Sequence, residues 1–131
     1  MVEIDEREPA AEPSETTILL CDDEPNLREL VRAVLGPRYR FAEVDDGHQA
    51  LTLVRELRPD LLVLDLMLPG MSGIDVLTEI RGDPELASLP VVVVTAWSHA
   101  EAGAFAAGAD RFVSKPFDPD ALIAAVEELL R

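Results

Sequence analysis

Leu61-Leu-Val-Leu-Asp-Leu-Met-Leu-Pro-Gly-Met-Ser-Gly73 holds the strongest structural signal in the chain. It opens on four consecutive apolar residues, Leu61 to Leu64. A short run without polar alternation fits a strand covered on both faces. The run meets an acid at Asp65 and breaks at Pro69-Gly70. Ser72 is then placed to cap a helix reaching Ile80 and stopping at Gly82-Asp83-Pro84. The local unit is therefore strand, acid, turn, helix.

The unit recurs on either side. Thr17-Ile-Leu-Leu-Cys21 and Val91-Val-Val-Val94 are equally apolar; Phe41-Ala-Glu-Val44 and Arg111-Phe-Val113 are shorter and weaker. Between them lie helix signals. Pro25 opens a helix to about Leu35, ended by Gly36-Pro37. Asp46, with Gln49 at capping-box spacing, opens a second helix to about Leu57, and Pro59 follows it. Ser98 and Glu101 pair in the same way for a helix closing near Gly108. Asp118-Pro119 opens the last, with Leu122, Ile123, Val126, Leu129 and Leu130 at helical spacing. Strict alternation predicts an α/β fold, a doubly wound five-stranded parallel sheet with five helices on its two faces.

Composition sets the outer limits. At 131 residues and 48% hydrophobic, the chain suffices for one domain with a core. Asp and Glu number 26 against 11 Lys and Arg, a net −15. That balance argues against nucleic acid or an anionic membrane as partner of this chain, since both need a cationic surface. The single cysteine, Cys21, excludes an internal disulfide and a Cys-rich zinc site. No apolar run approaches the ~20 residues of a membrane helix, and the acidic N-terminus lacks a signal-peptide pattern. A cytoplasmic protein is expected. Residues 1–16 hold six acids, one arginine and two prolines, and read as an acidic flexible N-terminal tail ahead of a domain at 17–131.

In such sheets, ligands bind beyond the carboxyl ends of the strands. The residues expected there are Asp22-Asp23-Glu24, Asp65, Thr95 and Lys115-Pro116. Clustered carboxylates repel unless a cation sits among them. Oxygen donors without His or Cys suit Mg²⁺ or Mn²⁺. Asp65 could then act as a carboxylate nucleophile forming an aspartyl phosphate, stabilised by the metal and by Lys115. Ten of the 11 basic residues are Arg and Lys115 is the only lysine, which suggests a need for a compact ammonium at that position.

Ile18-Leu-Leu-Cys-Asp-Asp-Glu24, Leu62-Val-Leu-Asp-Leu-Met-Leu-Pro-Gly-Met-Ser-Gly73, Val93-Val-Thr-Ala96 and Phe112-Val-Ser-Lys-Pro-Phe117 together resemble a response-regulator receiver domain of two-component signalling, close to the chemotaxis-regulator type. The resemblance spans Thr17 to Arg131. It implies a flavodoxin-like (βα)5 fold with strand order 2-1-3-4-5. It implies that Asp65 is the phosphoacceptor. Asp22, Asp23, Asp65 and the Met67 backbone carbonyl would hold the metal. Thr95 would be the switch hydroxyl, Lys115 the partner of phosphoryl oxygen, and Lys115-Pro116 a cis peptide. Phe112 would be the aromatic switch, as Phe where the family carries Tyr.

By the same resemblance, the phosphoryl group comes from a sensor histidine kinase or phosphotransfer protein. The surface of the fourth helix, fifth strand and fifth helix would then meet a downstream protein target, a covalently linked output domain, or a second copy in a homodimer. No direct nucleic acid binding and no membrane contact are expected. Such a module is a signalling receiver, not an enzyme, catalysing only its own phosphorylation and dephosphorylation. It is either stand-alone or one domain of a longer protein.

Met67 and Trp97, two residues beyond Asp65 and Thr95, are candidate rate-tuning side chains. Trp97 reads equally well as an exposed aromatic at a helix start. Cys21 reads as a buried core residue, and His48 and His99 as surface residues. The alternative function is a phosphorylation-independent interaction domain on the same fold. Among enzymes, a haloacid-dehalogenase-type phosphatase would want Asp-x-Asp where this chain has Asp22-Asp23. A flavodoxin would want a phosphate loop there, and no P-loop is present.

Overall fold

The computed structural model describes the backbone of Glu3–Ile4 and the whole of residues 16–131. The elements are β1 (Glu3–Ile4), β2 (Thr17–Cys21), α1 (Pro25–Leu35), β3 (Arg40–Val44), α2 (Gly47–Leu57), β4 (Leu61–Leu64), α3 (Gly73–Gly82), β5 (Val91–Thr95), α4 (Glu101–Ala107), β6 (Arg111–Ser114) and α5 (Pro119–Leu130). They form one sheet in the order β1-β3-β2-β4-β5-β6. Strands β2 to β6 are parallel, and they stand in the expected 2-1-3-4-5 order when counted by themselves. No local pattern marks β1, which pairs antiparallel with β3 at Glu3↔Glu43 and Ile4↔Ala42. The rest of the expected tail, Met1, Val2 and residues 5–15, lies outside the described residues.

The continuous apolar runs are explained by the sheet's two covered faces. Leu19, Cys21, Leu62, Leu64, Val91 and Val93 point to a core closed by α2, α3 and α4. Ile18, Leu20, Leu61, Val63, Val92 and Val94 point to the opposite core, under α1 and α5. Successive side chains alternate across a strand, so a strand covered on both faces has no solvent side to mark with polar residues.

Most helix starts follow their caps. Asp46 accepts from the N–H groups of His48 and Gln49, Ser72 from Asp75, and Asp118 from Asp120. Helix α1 starts at Pro25 as expected but without a side-chain cap bond, and α4 departs from its expected start. Ser98 does not cap it; Ser98–Ala100 forms a 3-10 turn, and α4 starts at Glu101 after an Ala100 cap without a side-chain bond. The tighter turn is set by the chain leaving β5, where Ser98 N–H reaches Ala96 O and Ala100 N–H reaches Trp97 O, each at 3.0 Å.

Two contacts set how closely the helices approach the strand ends. Gly73 donates its N–H to Leu66 O at 2.9 Å. A Cβ there would lie 2.4 Å from Asp65 O and 2.6 Å from Leu66 Cα, so only glycine lets α3 begin against the end of β4. At the other end of α3, Arg81 donates to the carbonyls of Gly108 (2.9 Å), Ala87 (3.0 Å) and Leu89 (2.7 Å). It also bonds Asp110 Oδ2 at 3.0 Å, the oxygen that accepts the N–H of Val91 at 2.8 Å. One planar guanidinium thus ties α3 to the start of β5 and to the turn before β6.

Replacing Arg81 by Ala leaves three carbonyls and a carboxylate without this donor; urea unfolding should show a loss of about 2 kcal/mol. Gly73→Ala forces α3 away from Asp65 and should cost about 1–3 kcal/mol in the same measurement.

Candidate functional site

Four parallel strands deliver side chains to one end of the sheet. Asp22 follows β2, Asp65 follows β4, Thr95 ends β5 and Lys115 follows β6. Asp22, Asp65 and Thr95 are buried, at 7%, 5% and 0% exposure, whereas Asp23 is exposed. One carboxylate oxygen from each of Asp22, Asp23 and Asp65 can be chosen so that the three lie within 4.8 Å of one another.

Lys115 Nζ donates to Asp22 Oδ2 at 2.8 Å and to Asp65 Oδ2 at 2.9 Å, with Glu24 Oε1 at 3.6 Å. The other oxygens are held by main chain: Asp22 Oδ1 accepts from Glu24 N–H at 2.9 Å, and Asp65 Oδ1 from Met67 N–H at 3.1 Å. Each buried carboxylate is therefore fixed at both oxygens. Burial pushes the Asp22 carboxyl above its ordinary range, against the lowering effect of Lys115 and of the Glu24 N–H. Burial alone would lower the Lys115 ammonium, but its bonds to Asp22 and Asp65 outweigh this and raise it. Lys115 is accordingly a cation at neutral pH.

Three carboxylates against one ammonium leave an excess of negative charge, and every candidate donor is oxygen. That donor set fits a hard divalent cation and does not fit zinc. The nitrogen and sulfur groups lie elsewhere: His48 and His99 are exposed, and Cys21 points into the core under α2 and α3 with its thiol pKa raised by burial.

The remaining residues singled out from the sequence frame this cluster. Thr95 Oγ1 accepts the N–H of Trp97 at 3.3 Å, and Lys115 N–H donates to Thr95 O at 2.9 Å. The Lys115-Pro116 peptide is cis. Phe112 is partly buried, with its ring 6.5 Å from that of the exposed Phe105. Trp97 and Met67 are exposed; the Trp97 indole meets the His99 ring edge-on at 5.5 Å and donates its N–H to His99 Nε2.

One group behind the cluster was not anticipated. Glu43, on β3, is buried between Arg28 and Arg32 of α1. Arg28 also donates to the main-chain carbonyl of Asp22 at 2.6 Å. The signal was there in principle: an acid inside the apolar run Phe41 to Val44, and two arginines one turn apart on the neighbouring helix.

The family model of the response regulator receiver domain matches residues 18–127. The DNA-binding response regulator MtrA of Mycolicibacterium smegmatis is 48% identical over 117 residues, covering 87% of this chain and 50% of MtrA. The phosphate regulon transcriptional regulatory protein PhoB of Pseudomonas aeruginosa is 34% identical over 118 residues, covering 88% of this chain and 52% of PhoB. The chain thus spans about half the length of the curated relatives it matches. Among solved structures, the receiver domain of sensor histidine kinase PA1611 from P. aeruginosa superposes with a TM-score of 0.78 at 28% identity, covering 88% of this chain and 97% of that one; it holds a magnesium ion in its active site cleft.

These relatives correct one expectation. Net charge argued against nucleic acid as a partner, yet MtrA is a DNA-binding regulator. The charge of this chain constrains only its own surface, and a regulator that meets DNA through another region needs no cationic patch here. On membranes, no helix among the described residues is long and apolar enough to cross one. With the family model and these identities added to the strand-end cluster, the chain belongs to the response regulator receiver domains of two-component systems, whose standard function is phosphorylation-dependent signalling.

Proposed function

We propose that Asp65 accepts a phosphoryl group from a sensor histidine kinase and that this chain is the receiver part of a regulator. The observation that carries the reading is the only lysine of the chain, whose Nζ sits 2.8 and 2.9 Å from carboxylates leaving two different strands. Residues 17–131 form the receiver and residues 1–16 an acidic extension of it.

A carboxylate oxygen of Asp65 attacks the phosphorus of the donor. The P–N bond to the donor imidazole breaks, and an acyl phosphate forms on Asp65. Asp22, Asp23, Asp65 and the Met67 carbonyl are the groups that hold Mg²⁺, or Mn²⁺. When bound, the ion neutralises charge on the phosphoryl oxygens. Lys115 gives up its bond to Asp65 Oδ2 and pairs with a phosphoryl oxygen, which its compact ammonium on a four-carbon stem allows. Hydrolysis uses the same groups, so the chain governs its own phosphorylation and dephosphorylation. Met67 and Trp97 stand at the rim and tune those rates.

Thr95 turns its hydroxyl from the Trp97 N–H toward the phosphoryl group. Phe112 moves with it against Phe105, and the surface of α4, β6 and α5 is reshaped. In a regulator of the MtrA kind, working in the cytoplasm, that change is passed to the DNA-binding part.

Trp97 is the only tryptophan, so its fluorescence reports on the loop after β5. Beryllofluoride with Mg²⁺ should change it, and Asp65→Asn should abolish the change together with the phosphoryl adduct seen by intact mass. Failure to form any Asp65-dependent adduct with acetyl phosphate or a kinase would sink the proposal in favour of a phosphorylation-independent interaction domain. Lys115→Arg should leave the chain folded and slow acetyl phosphate-dependent phosphorylation roughly 100-fold, the scale of one lost charge-stabilising donor.

A further inference from the structure

Arg28 bridges two groups behind the acid cluster. Its Nη1 donates to the main-chain carbonyl of Asp22 at 2.6 Å, and its Nε donates to Glu43 Oε1 at 2.8 Å. Glu43 is 5% exposed, and its second oxygen accepts from Arg32. The Asp22 carbonyl belongs to the peptide that joins Asp22 to Asp23. Because a peptide unit is planar, holding its oxygen restricts ψ of Asp22 and φ of Asp23 together. Those two angles set how the neighbouring carboxylates diverge, Asp22 inward to Lys115 and Asp23 outward to solvent. On its other side, Asp22 donates its N–H to Val44 O at 3.2 Å. The Asp22 main chain is thus tied to β3 twice, directly through Val44 and through Arg28 to Glu43.

Folding alone gives little reason for this arrangement. A buried ion group is commonly no more stabilising than apolar residues of the same volume. This one leaves Arg32 Nε buried without a hydrogen-bond partner among the described residues. What an apolar replacement of Arg28 cannot do is donate to the Asp22 carbonyl.

We infer that Arg28, anchored by Glu43, is a positioning residue that fixes the Asp22–Asp23 peptide and so sets the two adjacent carboxylates for a divalent cation. The inference rests on the cation reading of the preceding subsection. It carries a sign that separates it from simple electrostatics. Arg28 is itself a cation near the acidic cluster, so by charge alone its removal should tighten Mg²⁺ binding. Loss of positioning should weaken it.

The test is calorimetric titration of Mg²⁺ into four proteins, each checked for folding by circular dichroism and urea unfolding. They are the wild type, Arg28→Met, Arg32→Met and the double variant Arg28→Met with Glu43→Gln. Arg32 bonds Glu43, and among the described residues no hydrogen bond joins it to Asp22, so Arg32→Met perturbs the same ion group and spares the peptide. The expected result is Mg²⁺ affinity about tenfold or more weaker in both Arg28 variants, with Arg32→Met close to the wild type. The double variant removes the buried charge that Arg28→Met leaves less compensated, and carries the test where the single variant does not fold. Folded Arg28 variants that bind Mg²⁺ as tightly as the wild type, or more tightly, would overturn the inference. An equal loss in Arg32→Met would do so too, by showing a general loosening of α1. If the wild type takes up no Mg²⁺, the cation reading falls first and the positioning role with it.

Discussion

One ammonium shared by two buried carboxylates organises this end of the molecule. Lys115 reaches Asp22 and Asp65 from the far side of the sheet, because β6 stands three strands from β2, about 14 Å at ordinary strand spacing. The path is covered by the loop after β6 and by the lysine's own four-carbon stem. Two carboxylates buried side by side would otherwise repel and resist ionisation. The lysine offsets part of that cost, and main-chain N–H groups from Glu24 and Met67 hold the remaining oxygens. The cluster is therefore rigid at its buried members and open at Asp23.

Much of the surrounding fold keeps those groups in place. Gly73 lets α3 start against the Asp65 carbonyl, so the segment after the acid is drawn tight across the end of β4. Thr95 O accepts from Lys115 N–H, which joins the lysine loop to the end of β5. A second charged group lies one layer deeper, where Glu43 is held by Arg28 and Arg32 and the Asp22 main chain is tied to α1. A charge and its partners thus stand on the same face of β3 as Phe41, the face on which the adjacent β2 presents Ile18 and Leu20.

The parts legible in the sequence were those written in local patterns. Four-residue apolar runs, a proline at a first helical turn and Asp or Ser caps each depend on a few adjacent residues, and nearly all were found where expected. The reading failed where non-local geometry took over. The Ser98-Glu101 pair has capping-box spacing, but the chain leaving β5 turns more tightly and spends Ser98 in a 3-10 turn. Strand β1 was hidden in an acidic stretch whose composition speaks for solvation, because its pairing depends on an edge of β3 that no local pattern describes. The inference from net charge failed for another reason. It counted the charges of one chain, whereas its relatives work as proteins about twice as long.

The alternation of strands and helices, the two-sided burial of the sheet and the placing of Asp22, Asp65, Thr95 and Lys115 at strand ends are all readable from the amino-acid order alone. These follow from side-chain periodicity and from chain order, which need no coordinates. Three-dimensional packing was needed to show which oxygen of each carboxylate meets Lys115, that Gly73 is required by an approach of 2.4 Å, and that Arg28 bridges Glu43 and the carbonyl between two neighbouring acids. Those facts are distances between residues far apart in the chain. They are fixed by strand order and helix docking, and no spacing along the sequence encodes them.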